Sequence, residues 1–305
     1  EIPLLELKKE GSTTTSASVL YDILRKLESN TKIEISLQST NKLKLVSGNS
    51  KFNLLCISAD NFPLLDEDVE KKVFEVSSQQ MLKLLNKTKI SISSDETRHH
   101  LSGIYLHKTN SENKSFLSAV ATDSHKLSFS SIEIESNADF ESIILPKKTI
   151  FQLISLLEQS TSTVKISNNK SKIKFEMDIG VLISKVIDGR FPEYTKVIPC
   201  DNDKILKIKL EEFKNSIGIV NAVSPDYKKG LKMNISKDSL QLSVNDPNSA
   251  DGVTIVNAKF DSNNMSISFN SRYLIDIASQ IENDSISINL KDASSPVLIK
   301  DLSDK

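Results

Sequence analysis

A repeat of about 130 residues constrains the fold of this chain more than any other feature. The pair Phe62-Pro63 recurs as Phe191-Pro192, 129 positions later. Upstream of each pair, a helical hydrophobic pattern centred on Tyr21 recurs around Phe151, 130 positions later. Because the two offsets agree within one residue, a whole unit of helix and strands has been duplicated. The chain is therefore built from tandem copies of one supersecondary unit.

A third copy of the helical pattern begins at Asn270, and Tyr273 lies 122 positions after Phe151. Additional helix-plus-strand halves, Val76–Ser130 and Ile205–Phe260, precede the second and third copies. The first copy has no such half, so we expect the sequence to start within a first domain and to stop before the last strand of a third. The predicted domains are residues 1–72, the second half of domain 1, followed by 73–199 and 200–305.

Each copy carries the periodicities of both antiparallel strands and amphipathic helices. Alternating apolar and polar residues predict strands over Ile33–Leu37, Leu43–Val46, Val164–Ile166 and Lys172–Phe175. Helical spacing predicts helices over Ser18–Glu28, Glu211–Val223 and Ser271–Ile281, and the first of these is expected to cover a sheet. Capping-box patterns at Ser77/Gln80 and Thr149/Gln152 predict two more helix starts. The predicted fold class is α+β.

Composition excludes several classes of protein. The 39 Lys and Arg residues nearly balance the 40 Asp and Glu residues, which disfavours a binder that holds nucleic acid by bulk positive charge. Cys56 and Cys200 have no zinc-ligand spacing, and no glycine lies in a phosphate-binding loop motif. We expect no metal and no cofactor. No apolar run approaches the length of a membrane span, so we expect a cytoplasmic protein without membrane contact.

Several motifs resemble one known family, the bacterial DNA sliding clamp, which is the beta subunit of DNA polymerase III. They are Val120–Leu127, Val186–Tyr194 and Val197–Pro199, with further similarity through Ser16–Pro63, Arg98–Gly103, Phe269–Tyr273 and Ser294–Ile299. The resemblance implies a three-domain DNA clamp, with antiparallel sheets on the outside and helices lining the interior of a ring. Two departures are visible, because Ser124 and Lys126 stand where the family usually has Gly and Arg.

The function implied by this resemblance is that of a replication processivity factor, which has no catalytic residues. Two chains would form a homodimeric ring that encircles duplex DNA without reading its sequence. The implied partners are the DNA polymerase III catalytic subunit, the clamp loader, and other polymerases and repair proteins that carry clamp-binding peptides. Because a closed ring is held by topology, weak contacts with phosphates are enough, and a net charge of -1 is compatible with this role.

The resemblance also assigns residues to three surfaces. The hydrophobic peptide-binding pocket would contain Arg98, Leu101, Thr122, Ser124, His125, Lys126, Leu127, Pro192, Tyr194, Val197, Asn270, Tyr273 and Pro296. DNA would be contacted by Arg25, Lys26, Lys83, Lys87, Arg98, His99 and His100. The dimer interface would involve Phe52, Leu54, Ala222 and Val223.

Without the resemblance, each of these groups has an ordinary structural explanation. The lysines fit a solvated helix face, and Leu127, Val197 and Tyr273 fit a protein core. His99 and His100, if on a strand, would point to opposite faces and would not share a metal. An enzyme is disfavoured because Asp123, Ser124 and His125 are adjacent and no nucleophile-elbow motif occurs. A non-enzymatic, β-rich interaction module is the remaining alternative.

Overall fold

A computed structural model describes residues 5–39, 41–62, 73–136, 140–223, 230–245 and 250–301. The chain divides into two compact units, Glu1–Asp68 and Val69–Lys305. Residue 72, the last of the first predicted domain, and Pro63, from the repeated Phe-Pro pair, both lie outside the described residues. Within the described residues, no helix is long and apolar enough to cross a membrane.

The first unit contains one short helix and a four-stranded antiparallel sheet. Its elements are β1 (Thr14–Thr15), α1 (Ala17–Leu24), β2 (Glu34–Ser39), β3 (Lys42–Ser47) and β4 (Ser50–Ile57), and the strand order is β1-β4-β3-β2. Ser16 caps α1 by accepting a hydrogen bond from the backbone N–H of Val19. Leu43, Leu45 and Leu54 are buried on one face of this sheet, as their alternation with polar residues predicts.

The expectation that α1 is buried against a sheet is wrong for the described residues of this unit. No residue of the helix is buried, and Val19 and Leu24 from its predicted apolar face are exposed. Leu20, Ile23 and Leu27 are only half-buried. The segment is helical, as its pattern predicts, but burial depends on apolar surface supplied by other elements, and the described part of this unit supplies little.

The first part of the second unit packs two helices and two four-stranded sheets around one core. Its elements are β5 (Phe74–Ser77), α2 (Ser78–Lys89), β6 (Gly103–Ser111), β7 (Lys114–Thr122), β8 (Leu127–Ile134), β9 (Ile143–Pro146), α3 (Lys147–Leu157), β10 (Thr163–Asn168), β11 (Lys172–Met177) and β12 (Gly180–Lys185). The strand orders are β8-β7-β6-β9 and β12-β11-β10-β5. Both sheets and both helices contribute side chains to this core, including Met81, Leu106, Leu153 and Phe175.

The remaining part of the second unit repeats the arrangement around a second core. Its elements are β13 (Lys204–Lys209), α4 (Leu210–Asn221), β14 (Gly230–Ile235), β15 (Ser239–Asn245), β16 (Asp251–Phe260), β17 (Met265–Asn270), α5 (Ser271–Ala278), β18 (Ser285–Leu290) and β19 (Leu298–Asp301). A single sheet of order β17-β14-β15-β16-β13-β18-β19 packs against α4 and α5 through residues such as Phe213, Leu242 and Ile288.

The two capping-box predictions have different outcomes. At the start of α2, the Ser77 side chain accepts from the Gln80 backbone N–H, and the Gln80 side chain accepts from the Ser77 N–H, so this prediction is confirmed. At α3 the prediction is wrong, because the helix begins at Lys147, directly after Pro146. Pro146 is the extended residue that caps this helix without a side-chain hydrogen bond, and the Thr149 hydroxyl instead forms a 2.6 Å hydrogen bond with the Ser184 hydroxyl.

Neither the adjacent histidines nor the Asp-Ser-His segment lies on a strand. His99 and His100 lie in a short 3-10 helical turn, His99–Leu101, rather than on a strand. Asp123, Ser124 and His125 lie in the turn that joins β7 to β8. Within the described residues, no group of three or more potential metal ligands occurs.

Candidate functional site

The turn between β7 and β8 is fixed by its own polar side chains. The Asp123 carboxylate accepts hydrogen bonds from the backbone N–H groups of His125 and Lys126, each at 2.9 Å. The Thr122 hydroxyl donates to the Lys126 carbonyl at 2.9 Å and accepts from the Ser124 N–H at 3.1 Å. Short polar side chains that replace backbone partners in this way are typical of tight turns. The sequence Thr-Asp-Ser-His-Lys therefore forms a rigid platform between two strands.

Ser124 has a φ of 78°, in the left-handed region that favours glycine. Glycine, which the resemblance described above leads us to expect at this position, adopts the conformation without strain. The Ser124 hydroxyl accepts a hydrogen bond of 2.7 Å from the Arg98 Nη1 group. The Arg98 Nε group also donates to the Asp95 carboxylate at 2.8 Å. Ser124 and Asp95 together hold the Arg98 guanidinium in one place.

Asp95 is itself held in its charged form. Hydrogen bonds from the Thr97 hydroxyl and backbone N–H lower the pKa of the Asp95 carboxyl, and the hydrogen bond and charge of Arg98 add to this effect. The Thr97 bonds measure 2.6 Å and 3.0 Å. A charged Asp95 is therefore available at neutral pH to orient Arg98.

Helix α5 reaches the other side of the same turn. The Lys126 Nζ group forms a 3.1 Å ion pair with Asp276 and lies 4.6 Å from the centre of the Tyr273 ring. The Lys126 side chain is only 10% exposed. The His125 and Tyr273 rings lie 6.4 Å apart at 30°. Burial raises the pKa of the Tyr273 hydroxyl, and the nearby Asp123 charge raises it further. The turn and α5 thus form one polar and aromatic surface.

An apolar cluster lies beside this polar surface and shares β8 with it. Leu101, Val120, Ile144, Phe191 and Tyr194 are buried together, and Leu127 packs against them half-buried. The Phe191 ring stacks on Tyr105 at 4.9 Å and 6°. Leu127, at the start of β8, therefore connects the apolar cluster to the turn that carries Lys126.

A buried hydrogen bond fixes the position of Tyr194. Its hydroxyl forms a 2.9 Å hydrogen bond with Nε2 of His107, which lies on β6. Burial lowers the pKa of His107 below its ordinary value, which favours the neutral ring. This bond holds the 3-10 turn Tyr194–Lys196, and Val197 directly after that turn is 61% exposed. The arrangement presents an apolar side chain at the surface from a fixed segment.

Three family models match the chain. The N-terminal domain model of the DNA polymerase III beta subunit matches residues 1–66, the central domain model matches 75–193, and the C-terminal domain model matches 195–305. This chain belongs to the DNA polymerase III beta subunit family, the beta sliding clamps. The resemblance to this family and the predicted three-domain α+β clamp fold are confirmed.

Individual sliding clamps show the extent of the similarity. The beta sliding clamp of Caulobacter vibrioides strain NA1000 is 33% identical over 293 residues, which cover 95% of this chain and 79% of that protein. A crystal structure of the C. crescentus clamp has a TM-score of 0.94 at 32% identity, covering 97% of this chain and 80% of that chain. The Bartonella birtlesii clamp bound to griselimycin has a TM-score of 0.93 at 35% identity, covering 98% and 81%.

The structure brings most of the predicted pocket residues of this clamp together, but not all. Arg98 contacts Ser124 in the turn, and Lys126 and His125 contact Tyr273. Asn270 has a different task, because its side chain caps α5 by accepting from the Arg272 N–H at 3.0 Å. Pro296 is exposed, and its carbonyl accepts a 3.0 Å hydrogen bond from the Asn202 side chain. Pro192 is exposed beside the buried Phe191.

The lysines predicted to contact DNA differ in how accessible their charges are. Lys87 is only 10% exposed and forms a 3.3 Å ion pair with Asp301, which is 5% exposed. Lys83, one turn earlier on α2, pairs with Glu282 at 2.6 Å and remains 40% exposed. The burial and pairing of Lys87 argue against its predicted DNA contact, since its ammonium group is occupied within the protein.

The other predicted DNA residues of the clamp remain at the surface. Lys26 and His99 are exposed. Arg25 is 57% exposed and forms a 3.2 Å ion pair with Asp22. His100 is half-buried, and its Cβ lies 3.3 Å from where a Cβ on Gly189 would stand.

The predicted dimer residues are also unequal. Leu54 is 7% exposed, so its side chain belongs to the core of the first unit, while Phe52 on the same face is half-buried. Ala222 is exposed at the end of α4. Val223 packs over Gly252, where an added Cβ would approach its methyl groups to 3.2 Å. The core position of Leu54 means that this residue supports its strand rather than offering a side chain to a partner.

Sequence reasoning missed Asp95, Asp276 and His107. The Asp95-x-Thr97 spacing is a signal for a turn closed by an Asp side chain. Asp276 follows Tyr273 by three positions on a predicted helix, which places both on one face. His107 had no signal, because its partner Tyr194 lies 87 positions away.

Proposed function

We propose that this chain is a processivity factor of DNA replication that acts as a homodimeric ring around duplex DNA. It tethers a polymerase and other partners through the surface formed by the β7–β8 turn, α5 and the apolar cluster. One observation carries the proposal. Leu127 joins the apolar cluster to a polar rim, and this rim contains Arg98 in a fixed orientation. We keep residues 1–72, 73–199 and 200–305 as the proposed domains.

The chemistry of this surface suits a short flexible peptide. One or two large apolar side chains of a peptide would be buried against Val197 and Leu127, each contributing about 1.5–3 kcal/mol before ordering costs. Among the described residues, Arg98 has partners for Nε and Nη1, which leaves Nη2 to donate to a peptide carbonyl or carboxylate. The moderate affinity that results suits partners that must exchange. The Bartonella birtlesii clamp, a relative of this chain, is bound to griselimycin in its crystal structure.

A peptide-binding experiment tests the tethering surface. The probe is a fluorescein-labelled peptide with one Leu and one Phe, and its control carries Ala at both positions. We expect Val197→Asp to weaken binding of the probe by more than about tenfold, because it places a charge where an apolar side chain would dock. Val181→Asp is the matched control, since Val181 is also exposed, at 56%, but lies on β12. Equal effects of the two variants, or equal binding of the Ala peptide, would refute the site.

DNA encirclement is tested by topology rather than by affinity. After treatment with a clamp loader, the protein should remain on nicked circular DNA and leave once the circle is linearised. Retention after linearisation would show adhesive binding instead. Lys26→Glu should shorten the retention time, whereas Lys87→Met should change it only as far as it changes stability, because Lys87 is buried in an ion pair.

For the dimer, we propose that Phe52 of one chain meets Ala222 and Val223 of its partner, and that Leu54 acts through the core of the first unit. Ala222→Arg should give a monomer in sedimentation, while Glu211→Arg at the opposite end of α4 should leave the dimer intact. A dimer that survives Ala222→Arg would refute this part of the proposal.

A further inference from the structure

The strand register places a line of lysines across the face of the seven-stranded sheet that points away from α4 and α5. Lys207 on β13 lies directly opposite Lys259 on β16 and, on its other side, opposite Ser287 on β18. Ser287 in turn lies opposite Lys300 on β19. Directly opposed residues point to the same face. The line therefore spans four strands, or about 14 Å at 4.8 Å per strand.

This face carries a charge very different from that of the whole chain. Its strand positions include five lysines and one carboxylate, namely Lys207, Lys209, Lys232, Lys259, Lys300 and Asp251, all exposed. Lys209 pairs with Glu212 at 3.2 Å. In the part of the chain that the structure describes, Lys207, Lys259 and Lys300 form no ion pair. A chain of net charge -1 thus concentrates unpaired positive charge on one sheet face.

A shallow depression of about 410 Å³ lies where β14, β15, β16 and β17 run side by side. From the lysine-bearing face it is lined by Asn234, Gln241, Ile255 and Ser266, and from the core face by Ile235 and Met265, which lie opposite each other. Ile255 is 67% exposed and lies on β16, four residues before Lys259. Ile255 and Lys259 are therefore about 14 Å apart along one strand and lie on the same face.

We infer that this face binds an acidic, extended polypeptide segment of a partner protein. Carboxylates of the segment pair with Lys207, Lys259 and Lys300. An apolar side chain about four residues away along the segment rests on Ile255. The amide groups of Asn234 and Gln241 both donate and accept, which matches a peptide backbone. This surface is separate from the proposed tethering surface and is not needed for it.

The same features disfavour other anionic partners. Among the described residues, the strand positions on this face carry no aromatic side chain, so the bases of a single-stranded nucleic acid have nothing to stack on. A phosphate backbone offers acceptors only, and would leave the acceptor oxygens in the depression without partners. A peptide satisfies both halves of the surface.

Fluorescence anisotropy with a defined probe tests the inference on the whole protein. The probe is a fluorescein-labelled peptide, Ser-Leu-Ser-Gly-Ser-Glu-Glu-Glu-Ser, measured at about 50 mM salt, where exposed charges are weakly screened. Its controls replace Glu by Gln, or Leu by Ser. We expect binding of the probe, with affinity at least about tenfold lower for the Gln control and several-fold lower for the Ser control.

Charge-reversal variants locate the site. Lys207→Glu with Lys259→Glu should weaken binding of the probe by more than about tenfold, whereas Lys170→Glu with Lys185→Glu, equally exposed but on the other part of the unit, should change it less than about twofold. Val197→Asp should have no effect, which separates this surface from the tethering surface. The inference would be overturned if the probe did not bind, or if the two double variants had equal effects. It would also be overturned if a short DNA duplex or phosphatidylserine vesicles bound more tightly than the probe and Lys207→Glu with Lys259→Glu abolished that binding.

Discussion

Lys83 and Lys87 offer a matched test of how burial decides the strength of an ion pair. Both lysines project from α2 and pair with carboxylates at the far end of the chain, Glu282 and Asp301. The Lys83 pair is short, at 2.6 Å, but its side chains are 40% and 51% exposed. The Lys87 pair is longer, at 3.3 Å, but only 10% and 5% exposed. We expect Lys87→Met to be far more destabilising than Lys83→Met.

The magnitude follows from what each variant leaves behind. Removing one partner of a buried pair costs about 3–5 kcal/mol, because the remaining charge is left uncompensated. Asp301 would keep hydrogen bonds from the Glu282 N–H at 3.0 Å and from the Asn283 side chain at 2.7 Å. We therefore expect the lower end, about 3 kcal/mol, for Lys87→Met. For Lys83→Met we expect less than about 1 kcal/mol, as for other exposed pairs.

Urea unfolding followed by circular dichroism measures both changes, and thermal unfolding should show a fall of about 6–12 °C for Lys87→Met. The double variant Lys87→Met with Asp301→Leu should recover much of the lost stability, because it removes the stranded carboxylate. Equal losses for the two lysine variants would refute the reasoning, as would a double variant that is less stable than Lys87→Met alone.

Three further changes should follow from the structure. Tyr194→Phe should cost about 1–2 kcal/mol in urea unfolding, because it leaves the buried His107 ring without its 2.9 Å partner; a loss below a few tenths would contradict this. Burial lowers the pKa of His107 from 6.5, so the unfolded chain takes up the proton first and stability should fall as the pH drops below about 6.5. Stability measured against pH should lose part of this slope in His107→Gln, and an unchanged slope would exclude His107 as its source. Leu54→Ala should destabilise the first unit by about 2–4 kcal/mol, since Leu54 is 7% exposed; sedimentation showing a monomer whose unfolding is unchanged would contradict its core role.

Local patterns predicted much of the fold because they depend on neighbouring residues. The Ser77/Gln80 capping box joins residues three apart, and the alternation in β3 and β11 follows from the pleat of a strand. The repeat then gave the order of elements in each domain. The error at Thr149 arose because a second local signal, Pro146, started α3 earlier. Two short-range signals competed, and the sequence contained no measure of which was stronger.

The candidate site was less predictable because its contacts join distant residues. The resemblance proposed Arg98 and Ser124 for one pocket, and the structure shows them in contact across 26 positions. The resemblance did not identify the partner of Lys126, because that partner, Asp276, lies 150 positions further along the chain. Residue type alone could not distinguish Lys87, in a buried pair, from Lys26 at the surface, because burial is set by packing of separate segments.

Net charge misleads in this protein because it counts charges without their partners. The lysines of α2 are predicted to contact an anionic ligand, yet Lys83 and Lys87 meet carboxylates 199 and 214 positions away. Lys207 and Lys259 keep their charges accessible. Strand alternation places both lysines on one exposed face, while their apolar neighbours on β13 and β16 point to the core. A nearly neutral chain can therefore have helix lysines that are paired with carboxylates and, elsewhere, a sheet face with excess positive charge. The position of positive charge that a partner can reach is thus determined by sheet register, which the count of 39 against 40 does not contain.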